Sequence, residues 1–133
     1  VSNAIVYNSD GKIIYTMTIP EAMLHMQVKD PGETLILGTA DMNTQYISFG
    51  EITDRPIQPT AISGLSLSAD GVDHLTLTGV PLGTFSARNT LTGETVSGPI
   101  SSTDTFSTTV SGFYLLSVVA WPYLNFEVTV HAI

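Results

Sequence analysis

The chain has 133 residues, 43% of them hydrophobic, enough to build a core and too many for a disordered polymer. Twelve acids against four bases leave a net charge of −8, and the bases (Lys12, Lys29, Arg55 and Arg88) are scattered, so neither nucleic acid nor an anionic membrane is an expected partner. No cysteine is present, which excludes disulfides, thiolate metal sites and a cysteine nucleophile.

The elements read in chain order as follows. Residues 4–7 are strand-like, Asp10-Gly11 is a turn, and residues 12–19 return as a second strand. Pro20-Glu21-Ala22-Met23-Leu24 has Pro and an acid in a first helical turn, predicting one or two turns of helix that end at Asp30-Pro31-Gly32. Residues 34–38 and 45–49 are a third and a fourth strand, the latter closed by Gly50-Glu51-Ile52. Residues 1–54 are thus expected to form a small β-rich module with one short helix. Two prolines between 55 and 60 predict a semi-rigid linker.

Residues 61–133 change character. Short alternating runs appear at 65–68, 74–80, 84–88, 94–100, 103–109, 112–120 and 125–131, separated by Gly, Pro and Asp turns. Pro81-Leu82-Gly83 is read as one of these turns. Leu75 and Leu77 share a face, and residues 112–120 are apolar on both faces, as in a central strand. About seven strands at this spacing predict an antiparallel β-sandwich. The fold class is therefore mainly β: a small N-terminal module, then a sandwich.

Two stretches of this second half carry a resemblance. Ser68-Ala69-Asp70-Gly71-Val72-Asp73-His74-Leu75 resembles the start of bacterial and phage immunoglobulin-like repeats, and Gly112-Phe113-Tyr114-Leu115-Leu116-Ser117-Val118 is similar to their late strand. The likeness implies an Ig-like fold in which the Tyr114 hydroxyl bonds back to the backbone near a turn while its ring stays in the core. The Cys pair and core Trp of antibody domains are missing, and Trp121 is not equivalent. The first half, through Asp10-Gly11-Lys12-Ile13-Ile14, Gly32-Glu33-Thr34-Leu35-Ile36 and Gly50-Glu51-Ile52 to Arg55-Pro56, resembles small proteins encoded among tailed-bacteriophage structural genes.

Candidate sites are few. Asp70 and Asp73 flank Gly71, but the alternating acids of a calcium loop are absent, and the expected role is a turn in which Asp caps its own backbone. His25, His74 and His131 lack metal-ligand spacing, no Gly-x-Ser-x-Gly elbow occurs, and no cofactor or catalysis is expected. Met17, Met23, Met26 and Met42 all fall in the first module. Met23, Leu24 and Met26 are candidate partner-docking residues, set against the ordinary role of Met in filling an irregular small core. Trp121 and Tyr123 are candidate glycan-stacking rings, set against a plug over one end of the sandwich.

The resemblance implies a non-enzymatic virion protein, assembled in the host cytoplasm as a head decoration or a tail or fibre accessory. Its implied partners are other virion proteins and copies of itself. A module binding host-surface glycan and an assembly chaperone for tail fibres are the alternatives.

Overall fold

The computed structural model describes residues 2–20 and 31–133. Alternating apolar runs become eleven strands among the described residues, and no helix occurs among them, so the fold is mainly β. The helical turns expected after Pro20 lie outside the described residues, Pro20 apart. The chain forms two compact units, Val1–Arg55 and Pro56–Ile133.

In the first unit, β1 (Ser2–Tyr7) lies between β2 (Ile13–Ile19) and β3 (Thr34–Leu37), antiparallel to both. A central strand is covered on both faces, and Ala4, Ile5 and Val6 are fully buried. The loop into β2 is built around Asn8, whose Oδ1 accepts from the backbone N–H groups of Asp10 (2.9 Å) and Lys12 (3.0 Å). Gly11 closes it with φ +80°, and its carbonyl accepts from Ile47 N–H at 2.8 Å. A side chain on Gly11 would run into the Ile47 carbonyl, so this junction requires glycine. Ile47 belongs to β4 (Gln45–Ser48), which pairs with β5 (Glu51–Asp54), and it completes a core with Ile5 and Ile13.

The second unit comprises β6 (Ala61–Ile62), β7 (Ser66–Leu67), β8 (Leu75–Asn89), β9 (Thr95–Phe106), β10 (Gly112–Val119) and β11 (Phe126–Ala132). Leu75 and Ala87, at the two ends of β8, belong to one core cluster. Extended chain would hold them about 40 Å apart, so β8 folds back on itself, and its partner β9 folds with it. The register breaks on either side of Val80, which faces Ser102 at φ +63°, mark the crest. Gly79, at φ +65°, sits against the Pro59 carbonyl, and Gly83 lies against the Val119 carbonyl and Ala120.

The bend turns one hydrogen-bonded sheet into a two-layered sandwich. The larger layer runs β9(95–100), β8(83–89), β10, β11, β7, with β7 parallel to β11. The smaller holds β6, β8(75–78) and β9(104–106). Leu75 and Phe106 from the smaller layer meet Ala87, Tyr114, Leu116 and Val130 from the larger. Leu116 and Val130 are almost fully buried, and each such side chain contributes about 1.5–3 kcal/mol.

The structure corrects four expectations. Pro81-Leu82-Gly83 is not a turn between strands but the crest of β8, where bulges leave room for a residue without an N–H. The runs at 94–100 and 103–109 likewise merge into β9, which ends at Phe106; the two mergers leave five of the seven runs, and β6, outside them, makes six strands. β10 is central, but its apolar outer row is not covered: Phe113 and Val119 are exposed.

The expected linker is also part of the second unit from Pro56 onward. Gln58 is buried and its Nε2 donates to the carbonyls of Val118 (3.0 Å) and Leu124 (2.9 Å), while its Oε1 accepts from the Thr60 hydroxyl. Leu124 N–H donates to the Pro56 carbonyl at 2.8 Å. Prolines favoured an extended chain here, and buried hydrogen bonds tie that chain to the sandwich.

Two substitutions test these junctions. Gly83→Ala should destabilise the second unit by about 1–3 kcal/mol, because a Cβ overpacks the crest. Gln58→Ala should cost about 1–3 kcal/mol by stranding buried carbonyls. Urea denaturation followed by circular dichroism would measure both, and unchanged midpoints would contradict these roles.

Candidate functional site

Because β8 and β9 double back, the connections at their open ends gather at one end of the second unit. Gly71 N–H donates to the Thr108 carbonyl at 3.0 Å, joining the 68–74 and 107–111 loops. Thr90 N–H donates to the Phe113 carbonyl at 3.0 Å, and Ala69 N–H to that of Ile133 at 2.9 Å. Val72, Leu91 and Val110 are exposed on these connections, and Ile133, bonded to Ala69, is exposed beside them. Water therefore meets apolar side chains at the loop tips, where small polar residues are usual.

Side-chain caps hold the loops in shape. Tyr114 donates its hydroxyl to the Val110 carbonyl at 2.8 Å and shares a hydrogen bond with the Thr108 hydroxyl at 2.9 Å. Its ring is buried, 5.2 Å from that of Phe106. This is the corner geometry expected of Tyr114. Asn89, also buried, turns the β8–β9 connection by accepting at Oδ1 from the N–H groups of Leu91 (3.0 Å) and Thr92 (3.2 Å). Asp70 Oδ1 accepts from the N–H groups of Val72 and Asp73, both at 2.8 Å, and these bonds hold its carboxyl below the usual range. Asp73 spends its own carboxylate on Ser68 N–H (2.8 Å) and His74 N–H (3.0 Å).

Between the layers, next to this end, lies a slot of about 390 Å³. Phe85, Ala87, Phe106 and Tyr114 form its interior. One rim carries Glu94 and Val96, the other Thr105, Thr108 and Val110. Val96 pairs across the sheet with buried Ala87 and so faces inward, yet it is 69% exposed. Ile100, on the same face of β9 four residues later, is 4% exposed. The sandwich is closed at Ile100 and open at Val96.

The first unit carries one outstanding residue. Phe49 is wholly exposed at φ 50°, followed by Gly50 at φ 77°, in the two-residue turn between β4 and β5. Positive φ at both positions is the hairpin geometry that favours Asn-Gly. Expected as the last residue of a strand, Phe49 instead forms the tip.

The residues singled out from the sequence fare differently. Met23, Leu24, Met26 and His25 lie outside the described residues. Met17 is half-buried on β2, Met42 is exposed, and the described core of that unit is built from isoleucines. Trp121 and Tyr123 are half-buried, and Tyr123 packs against the core cluster of Leu77, Val118 and Ala120. His131 stacks on Phe113 at 4.2 Å on the outer face of β10 and β11, and His74 Nδ1 lies 3.5 Å from the Val72 carbonyl. Among the described residues, no group of three or more His, Asp or Glu side chains is placed to hold a metal ion. Phe49, Val96 and the slot escaped the sequence reading. The one available signal was Phe49-Gly50 between two alternating runs, a spacing that suits a two-residue hairpin.

Comparison with family models, curated proteins and solved structures found no match to this chain.

The Asp70 turn makes a pH-dependent prediction. Its folded-state pKa lies below the unfolded one, so its stabilisation is present above about pH 4 and disappears as pH falls through the folded value. Asp70→Asn keeps an acceptor oxygen but removes the charge. The stability difference between wild type and this variant should therefore shrink between neutral pH and pH 3 in denaturant titrations; a constant difference would contradict the assignment.

Proposed function

We propose that this chain is a non-enzymatic structural protein of a tailed-phage virion, attached by its N-terminal module and presenting an Ig-like sandwich as a head decoration or a tail or fibre accessory. The observation that carries the attachment is Phe49. Holding a non-glycine residue in the left-handed region costs on the order of 1–3 kcal/mol, and this one sets a full aromatic ring in water. Both penalties are offset when the ring enters a partner's pocket, the role in which buried aromatics dominate interface energies. The exposed loop tips of the second unit support the same reading, because they offer apolar area to neighbouring subunits. The phage setting rests on the resemblance of residues 4–56, and symmetric copies follow from it because virions repeat their parts.

Mass spectrometry of purified virions tests this directly. A decoration protein should be present in on the order of hundreds of copies, a tail accessory in a handful to a few dozen; absence from virions would overturn the proposal. Phe49→Asn separates attachment from folding. Asn suits the turn, so thermal stability should hold or rise, while incorporation should fall about tenfold or more. Full incorporation of the variant would remove Phe49 from the attachment.

A further inference from the structure

The slot in the second unit has a feature that an ordinary apolar pocket lacks: an edge strand, β9, runs along its rims at Val96 and Thr105. Among the described residues β9 pairs with β8 alone, so the other edge of its backbone faces away from the sheet. Natural sheets usually protect such an edge with charge, proline or a covering element. Residues 95–103 of β9 carry no charge at all, and Pro99 is their one proline. The run 95–98 ahead of that proline borders the open part of the slot, where Val96 faces inward and, among the described residues, has no strand beyond it.

The geometry points to this slot as an acceptor for one extended strand of another polypeptide. Added beside residues 95–98, such a strand would continue the larger layer and satisfy the free backbone groups of β9. In a strand every second side chain points to the same face. Those of the incoming strand would enter the slot beside Val96, on the side of its apolar lining that includes Phe106. That requirement selects apolar residues at alternate positions.

Charge adds a second criterion. Glu94 is the ionisable group on the rim, while Arg88, opposite Thr95, is exposed on the outer face of the sheet. The docking strand should therefore carry Lys or Arg on its flanks or outward positions. A small apolar ligand would fill the same volume but leave the β9 backbone unpaired, so the free edge favours peptide. The inference stands independently of the virion proposal, since it concerns what the second unit accepts and not where the protein resides.

The experiment is a selection of displayed random dodecapeptides against the full chain, followed by synthesis of the enriched consensus as the probe. The expected consensus has apolar residues at every second position flanked by Lys or Arg. Calorimetry should show Val96→Asp weakening the probe by about tenfold or more. Val96 is mostly in solvent, so thermal unfolding of this variant should match wild type. Hydrogen exchange on the wild-type chain gives an independent readout, with probe binding expected to slow amides in residues 95–98. The proposal is overturned if no alternating consensus emerges, if the variant binds as wild type does, or if exchange in that run is unchanged.

Discussion

A long strand can bury an apolar face only if something lies over it, and in the second unit the covering element is the strand's own other half. β8 and β9 form one hairpin too long to stay flat against a core of this size, and it folds at the crest formed by Gly79, Val80 and Gly83. Both glycines lie where a side chain would strike neighbouring groups, Pro59 in one case and Val119 with Ala120 in the other. Close approach at the crest is therefore what allows Leu75 and Phe106 to reach Ala87 and Leu116. The buried Gln58 serves the same region from outside the hairpin, holding residues 56–60 against the carbonyls of Val118 and Leu124.

The fold-over has two consequences at the opposite end. It collects the 68–74, 90–94 and 107–111 connections, which are then stiffened by Asp70, Asn89 and Tyr114. It also leaves the two halves of β9 as neighbouring edges with no strand between them among the described residues. Toward its ends the hairpin stays closed over Leu75, Ala87 and Phe106 but opens along the β9 edge, where Val96 is exposed while Ile100 nearer the crest is buried. The slot thus follows from the same constraint that builds the core.

Polar and apolar side chains divide by place in this protein. The polar groups most fully engaged (Asn8, Gln58, Asp70, Asp73 and Asn89) are spent on backbone amides and carbonyls, where they shape turns and seams. Large apolar groups, by contrast, stand in solvent at Phe49, Leu91 and Val72. The turns are thus shaped by polar caps while apolar side chains stand at their tips.

Much of this was legible in the residues. Alternation placed Leu75 and Leu77 on one face, and Asp10-Gly11 and Asp70-Gly71 marked turns, because period and turn chemistry are local properties of the chain; the Tyr114 corner came from resemblance alone. The class, mainly β with a C-terminal sandwich, follows from those local signals. What they cannot encode is which strands are halves of one strand. Pro81-Leu82-Gly83 has the composition of a turn whether the chain reverses or merely bulges, and residues 56–60 look like a linker until Gln58 finds its buried carbonyls. The slot is less legible still, since Val96 has the same alternating neighbours as Ile100, and their different exposure depends on how far the opposite layer extends. Sequence by itself determined the strands, the turns and the mainly-β class. Tertiary structure alone decided the fold-over, the open edge of β9 and the exposed tips, because each depends on contacts between residues far apart in the chain.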